Sequence, residues 1–131
     1  MILCGGYPEL YAEALSANQS MLRWTREAVA GGMPLIAECG EFLSLHDLLK
    51  NVEDGRFPMA GVIPGEAFPA HSLVRFGYVT LTAERENLLC EAGGKLRAHE
   101  FHSSQAGRQE LAVRPHKCDH VCGFPVSLFL R

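Results

Sequence analysis

Two short apolar runs, each stopped by a tight turn and separated by one helix-length segment, constrain this chain more than any other feature. The first is Met1-Ile2-Leu3-Cys4, ended by Gly5 and Gly6; the second is Pro34-Leu35-Ile36-Ala37, which passes through Glu38 and Cys39 to Gly40. Apolar runs of this length, bounded by chain breakers, have the composition of buried strands. Between them Leu10, Ala14, Leu15, Met21, Leu22 and Val29 recur at roughly helical spacing from Pro8 to about Ala30, and Gly31 and Gly32 end the pattern. The segment reads as one helix, or as two short ones broken near Asn18. After the second turn, Phe42 to Leu49 reads as a further helix. The order strand, helix, strand, turn, helix predicts a parallel α/β unit, because parallel neighbours need a crossover between them.

The second half of the chain changes character. Phe57 to Ile63 and Leu73 to Thr82 have strand-like composition, and Lys95 to His102 alternates enough for another strand. They predict an antiparallel extension of the sheet. Pro115 to Arg131 is weakly patterned until Val126-Ser127-Leu128-Phe129-Leu130, a candidate last strand. With 131 residues and 47% hydrophobic content, residues 1–131 are expected to form a single domain around one core.

Composition also narrows the partners. The net charge is −3 and the twelve Lys and Arg are scattered, so nucleic acid is not an expected partner. No apolar run approaches the ~20 residues of a membrane helix, and Met1 to Tyr7 lacks the basic and apolar regions of a signal peptide. A cytoplasmic protein without a membrane partner is expected. Five cysteines, an odd number with no regular framework, read as thiols in a reducing compartment.

Cys39 is the most informative candidate for chemistry. It lies between an apolar strand and a predicted helix, with Gly40 directly after it. A side chain at such a turn projects above the sheet edge, where backbone amides favour a thiolate and can hold an oxyanion. The plain alternative is a buried strand-end cysteine acting as a small hydrophobe. Gly5 and Gly6 end the other predicted parallel strand, so both turns should lie on the side of the sheet where open α/β folds bind ligands.

Several motifs then occur in one order. They are Gly5-Gly6-Tyr7-Pro8-Glu9, Leu15-Ser16-Ala17-Asn18, Ala37-Glu38-Cys39-Gly40, Gly61-Val62-Ile63-Pro64-Gly65, Gly77-Tyr78-Val79 and His99-Glu100-Phe101-His102. From about Ile2 to Ser104 the chain resembles the CobB/CobQ-like class I glutamine amidotransferase domain of cobyrinate a,c-diamide synthases. The resemblance implies a three-layer, flavodoxin-like α/β domain with a mostly parallel sheet, here truncated. It also implies Cys39 as the nucleophile, and Gly5, Gly6, Tyr7 and Gly40 at the oxyanion and substrate site. Glu38, His99, Glu100 and His102 belong to family motifs and receive no fixed role. Glutamine is the implied substrate, and ammonia the product passed to an ATP-dependent synthetase domain in cis or trans. That domain would use ATP and Mg2+ to activate corrinoid carboxylates; no metal or other cofactor is expected in this one. No Gly-x-x-x-x-Gly-Lys-Ser/Thr loop occurs in these residues, and the short first strand and the end at Arg131 suit a fragment of a longer protein.

The match also has departures. The family's base is a histidine in a Gly-Tyr-Pro-His-Leu-type motif, whereas Gly123-Phe124-Pro125-Val126-Ser127 puts Val126 at that position. Valine cannot accept a proton; His116 and His120 are displaced candidates whose ordinary reading is surface histidine. Glu41 replaces a usual glycine, and Ala98 and Ser103 replace a usual glycine and tyrosine. Three rival readings therefore stand beside the enzyme. One is a metal site at His116, Cys118, His120 and Cys122, four positions too extended on one strand to close around a single zinc. Another is a catalytically inactive amidotransferase-like scaffold. The last is the glutaminase part of a sirohydrochlorin-type a,c-diamide synthase.

Overall fold

The computed structural model describes residues 1–69, 75–83, 86, 88–102, 104–106, 121–124 and 126–128. Strand β1 (Ile2–Leu3) leads through a glycine turn and a 3₁₀ turn (Pro8–Leu10) into helices α1 (Ala12–Ala17) and α2 (Gln19–Ala30). The helical segment breaks at Asn18, as its composition suggests. Asn18 caps α2: its side-chain oxygen accepts from the Met21 amide at 3.3 Å. At the far end Gly32 takes φ +88°, and the amides of Gly32 and Met33 bond back to Val29 and Ala28. This is the paired closure of a Schellman cap, which needs a residue tolerant of left-handed backbone.

Strand β2 (Leu35–Glu38) returns parallel to β1, pairing Ile36 with Ile2 and Ala37 with Leu3. Its side chains alternate between two environments. Leu35 and Ala37 are fully buried with Leu22 and Val29 of α2, whereas Ile36 packs with Ala98, Val79 and Leu81. The parallel sheet thus lies between α2 on one face and strands of the antiparallel sheet on the other.

Beyond β2 the segment predicted as a helix takes a different path. Cys39–Leu45 form an extended 3₁₀ turn, and His46–Lys50 form strand β3. Spacing alone favours a helix here, but tertiary bonds claim the backbone. The carbonyls of Ser44, Leu45, His46 and Asp47 accept from the amides of Ala60, Val62, Gly61 and Met59, so they are not free for i+4 helical bonds. The same lacing splits the strand expected over Phe57–Ile63. It becomes β4 (Arg56–Pro58) and β5 (Ile63–Pro69), with Met59–Val62 between them pinned to the 3₁₀ turn and β3.

The remaining strands are β6 (Arg75–Thr82), β7 (Lys95–His102), β8 (Ser104–Ala106), β9 (Val121–Phe124) and β10 (Val126–Leu128). They do not extend one sheet. Among the described residues three sheets form instead, with orders β1-β2-β9, β4-β3-β5-β8 and β10-β7-β6. The first is parallel, the second mixed and the third antiparallel. β9 is a strand that sequence reasoning left in a weakly patterned tail; it pairs parallel with β2, Leu35 to Val121 through Glu38 to Phe124. A second core of Ala12, Leu43, Leu49, Met59 and Ala67 joins α1 to the mixed sheet. Among the described residues no helix is long and apolar enough to cross a membrane.

Candidate active site

The site is built where β1 and β2 end together. Cys39 is the first residue after β2 and takes φ +53°, a left-handed backbone that side-chain-bearing residues rarely adopt. Such a conformation costs on the order of 1 to 3 kcal/mol and persists only when surrounding packing dictates it. The packing comes from the first glycine turn. A Cβ built on Gly5 would touch the Cβ of Cys39 at 3.5 Å. A Cβ on Gly40 would collide with the carbonyl of Gly6, and would lie 2.6 Å from Cδ of Pro8. Gly40 is therefore the residue that lets the two turns close on each other, and it is itself buried. The structure brings Gly5, Gly6, Cys39 and Gly40 together. Tyr7 follows at the rim, 66% exposed.

The Cys39 thiol is free and half-buried, whereas the Cys4 thiol is free and exposed. Glu38 ends β2 and pairs with Phe124. Glu41 sits within the turn with one carboxylate oxygen 3.4 Å from where a Gly6 Cβ would lie. Burial pushes its carboxyl up from the ordinary carboxylate range, and the hydroxyl of Ser44, 3.3 Å away, opposes that rise. As pH climbs through that raised value the carboxylate gains its charge, which disfavours a neighbouring thiolate.

His46 ends the same turn. Its ring is buried, meets Phe42 edge-on at 5.3 Å, and places Nδ1 3.2 Å and 3.3 Å from the carbonyls of Phe42 and Leu43. Both partners are acceptors, so Nδ1 carries the proton in the neutral ring. Burial pulls its pKa down, against the opposing effects of those two carbonyls and of Asp47.

The other sequence candidates divide. His99 lies on β7 next to Ala98, whose side chain faces β2; alternation turns His99 to the opposite face, where its ring meets Tyr78 edge-on at 5.0 Å. The structure does not bring His99 to Cys39. Glu100 pairs with Val126 and Gly77, and His102 with Arg75, through backbone positions whose side chains lie outside the described ones. His116, Cys118 and His120, and the side chain of Cys122, lie outside the described residues too. So does Ser103.

The strand missed in the tail proves the most informative about Val126. Phe124 stands beside Glu38, the residue before Cys39, and β10, which begins at Val126, approaches β2 within 8 Å between Cα atoms. β9 therefore ends beside the residue that precedes Cys39, two positions before Val126. The short Val-Cys-Gly-Phe run and its distant parallel partner gave no local periodic signal.

Comparison with known proteins fits this corner. Residues 1–120 match the family of CobB/CobQ-like glutamine amidotransferase domains. The chain is 43% identical over 101 residues to a cobyrinate a,c-diamide synthase of Caldanaerobacter subterraneus, covering 77% of this chain and 22% of that protein. It is 42% identical over 102 residues to the cobyrinate a,c-diamide synthase of Salmonella typhimurium, covering 78% and 22%. A Dehalococcoides mccartyi protein of the same name is 37% identical over 101 residues, covering 77% and 22%. The chain thus spans about a fifth of the length of these relatives. The strained Cys39 turn closed by Gly5, Gly6 and Gly40 lies wholly inside the matched stretch, and the chain belongs to the CobB/CobQ-like glutamine amidotransferase domain family.

Proposed function

We propose that this chain is the glutaminase part of an ATP-dependent cobyrinate a,c-diamide synthase, with Cys39 as its nucleophile. The observation that carries the reading is the left-handed Cys39 at the end of β2, clasped between Gly5 and the Gly6–Gly40 contact. The inference runs from an observed strained residue to a functional one. In this reading the Cys39 sulfur attacks the side-chain amide carbon of glutamine, and backbone amides near Gly6 and Gly40 hold the oxyanion. Collapse of the tetrahedral adduct expels ammonia and leaves a glutamyl thioester on Cys39. Water then releases glutamate and restores the thiol. Tyr7 borders the substrate, while Glu38, His99, Glu100 and His102 keep no assigned step.

Residues 1–131 form one amidotransferase domain of the three-layer, flavodoxin-like type in this reading, supported by the parallel order β1-β2-β9 and by α2 against one face. The ammonia serves a synthetase half that lies outside this chain. These residues contain no phosphate loop, so ATP and Mg2+ belong to that half and no step here passes through them. Free thiols at Cys4 and Cys39 suit a cytoplasmic setting.

Val126 favours a second reading, in which the domain binds but turns over poorly or not at all. Phe124, two residues before it, pairs with Glu38 beside Cys39, and valine accepts no proton. Ammonia release from glutamine separates the two. Val126→His is expected to raise the rate by about 10²- to 10⁴-fold, and Cys39→Ala in that background to abolish it. Folded Val126→His protein releasing no more ammonia than the Cys39→Ala control would leave the inactive scaffold as the better account.

A further inference from the structure

Glu9 is a buried acid that the mechanism above does not use. It lies in the 3₁₀ turn Pro8–Leu10 and is 9% exposed, whereas Leu10 beside it is 59% exposed. Its Oε2 atom is buried and has no hydrogen-bond partner. Stripping water from a carboxylate is unfavourable unless a cation or donor replaces it, and native proteins rarely leave such an atom unmatched. The ion pairs among the described residues, Lys50–Asp54 and Arg56–Glu66, do not involve it.

Its position gives the orphan atom a meaning. Pro8, directly before Glu9, is the residue whose ring would collide with a Cβ on Gly40, so the turn carrying Glu9 packs against the turn that begins at Cys39. A free amino acid whose side-chain amide reaches Cys39 brings one cation with it, its α-ammonium group. We propose that Glu9 is a positioning residue whose buried carboxylate accepts the α-ammonium group of free glutamine, an assignment that rests on the glutaminase reading of Cys39. The pairing replaces the lost water with a charge-assisted hydrogen bond. It also selects free glutamine against glutamine that is acylated or peptide-linked at nitrogen, since either change removes the charge.

Calorimetric titration with L-glutamine and with N-acetyl-L-glutamine tests the assignment, using the full chain, its Cys39→Ala variant and its Glu9→Gln variant. The wild type and Cys39→Ala should both bind L-glutamine, and each should bind the N-acetyl compound at least about tenfold more weakly. Glu9→Gln should lose about tenfold or more in L-glutamine affinity and no longer discriminate. Its unliganded Tm should be unchanged or higher, because an unmatched buried carboxylate is relieved; a purely structural Glu9 would lower it. Equal binding of the two ligands by the wild type overturns the proposal without reference to any variant. So does undiminished L-glutamine affinity in Glu9→Gln, or no binding of L-glutamine by the wild type. Intact, Glu9-dependent binding with an unreactive Cys39 would instead remove the covalent step and leave Glu9 in place.

Discussion

The two sides of the candidate site are built to different standards. On the Cys39 side, Gly5, Gly6, Pro8 and Gly40 interlock so closely that Cys39 is held in left-handed backbone. On the opposite side, β9 runs along β2 and ends with Phe124 beside Glu38, and the residue two positions on is the aliphatic Val126. The match to known amidotransferase domains follows the same division, covering residues 1–120 and stopping before that segment. A nucleophile turn is a backbone device maintained by many contacts.

The largest effect should come from breaking the interlock. Gly40→Ala places a methyl group against the Gly6 carbonyl and the Pro8 ring, neither of which can rotate away. A loss of about 3 kcal/mol in unfolding free energy is expected in chemical denaturation, together with loss of Cys39 reactivity. An equally stable Gly40→Ala would show that the two turns are not in contact.

Acid should act on the same corner more mildly. His46 is buried with its pKa lowered below the ordinary 6.5, so its contribution is fully present above that value and is lost as pH falls toward the lowered one. Between pH 7.5 and 5.5 the wild type should lose stability with a slope of at most about 1.4 kcal/mol per pH unit from this group. His46→Asn should lack that component in pH-dependent melting, and a variant with the unchanged slope would assign the acid loss elsewhere.

Cys39→Gly offers the smallest and most diagnostic change. Glycine accepts φ +53° without strain, so the variant should be more stable by about 1 kcal/mol while losing all thiol chemistry. A destabilised Cys39→Gly would mean that the side chain is held for packing instead of reactivity.

Much of the nucleophile side was legible because its signals are local. Apolar runs ending at Gly5-Gly6 and Cys39-Gly40 imply strands and turns directly, and Asn18 marks the helix break by capping. Segments governed by distant partners were not legible. Phe42–Leu49 has helical spacing, yet the amides of Met59–Val62 occupy the carbonyl acceptors that a helix needs, and the chain becomes a 3₁₀ turn and a strand. β9 has four residues, one of them glycine, and gains its identity only from β2, over eighty residues earlier. Glu9 sat inside a recognisable motif, but only burial shows that one of its oxygens lacks a partner.

The proposed role of Cys39 is that of a glutamine-directed nucleophile, and the protein carries its own control in the exposed thiol of Cys4. The most direct test is to incubate the folded chain with the glutamine analogue 6-diazo-5-oxo-L-norleucine and, in parallel, with iodoacetamide, and to locate adducts by peptide mass spectrometry. Iodoacetamide is expected to modify Cys4, the analogue to modify Cys39 and spare Cys4, and excess L-glutamine to protect Cys39. An analogue that modifies Cys4 as readily as Cys39, or that modifies neither, would contradict that role.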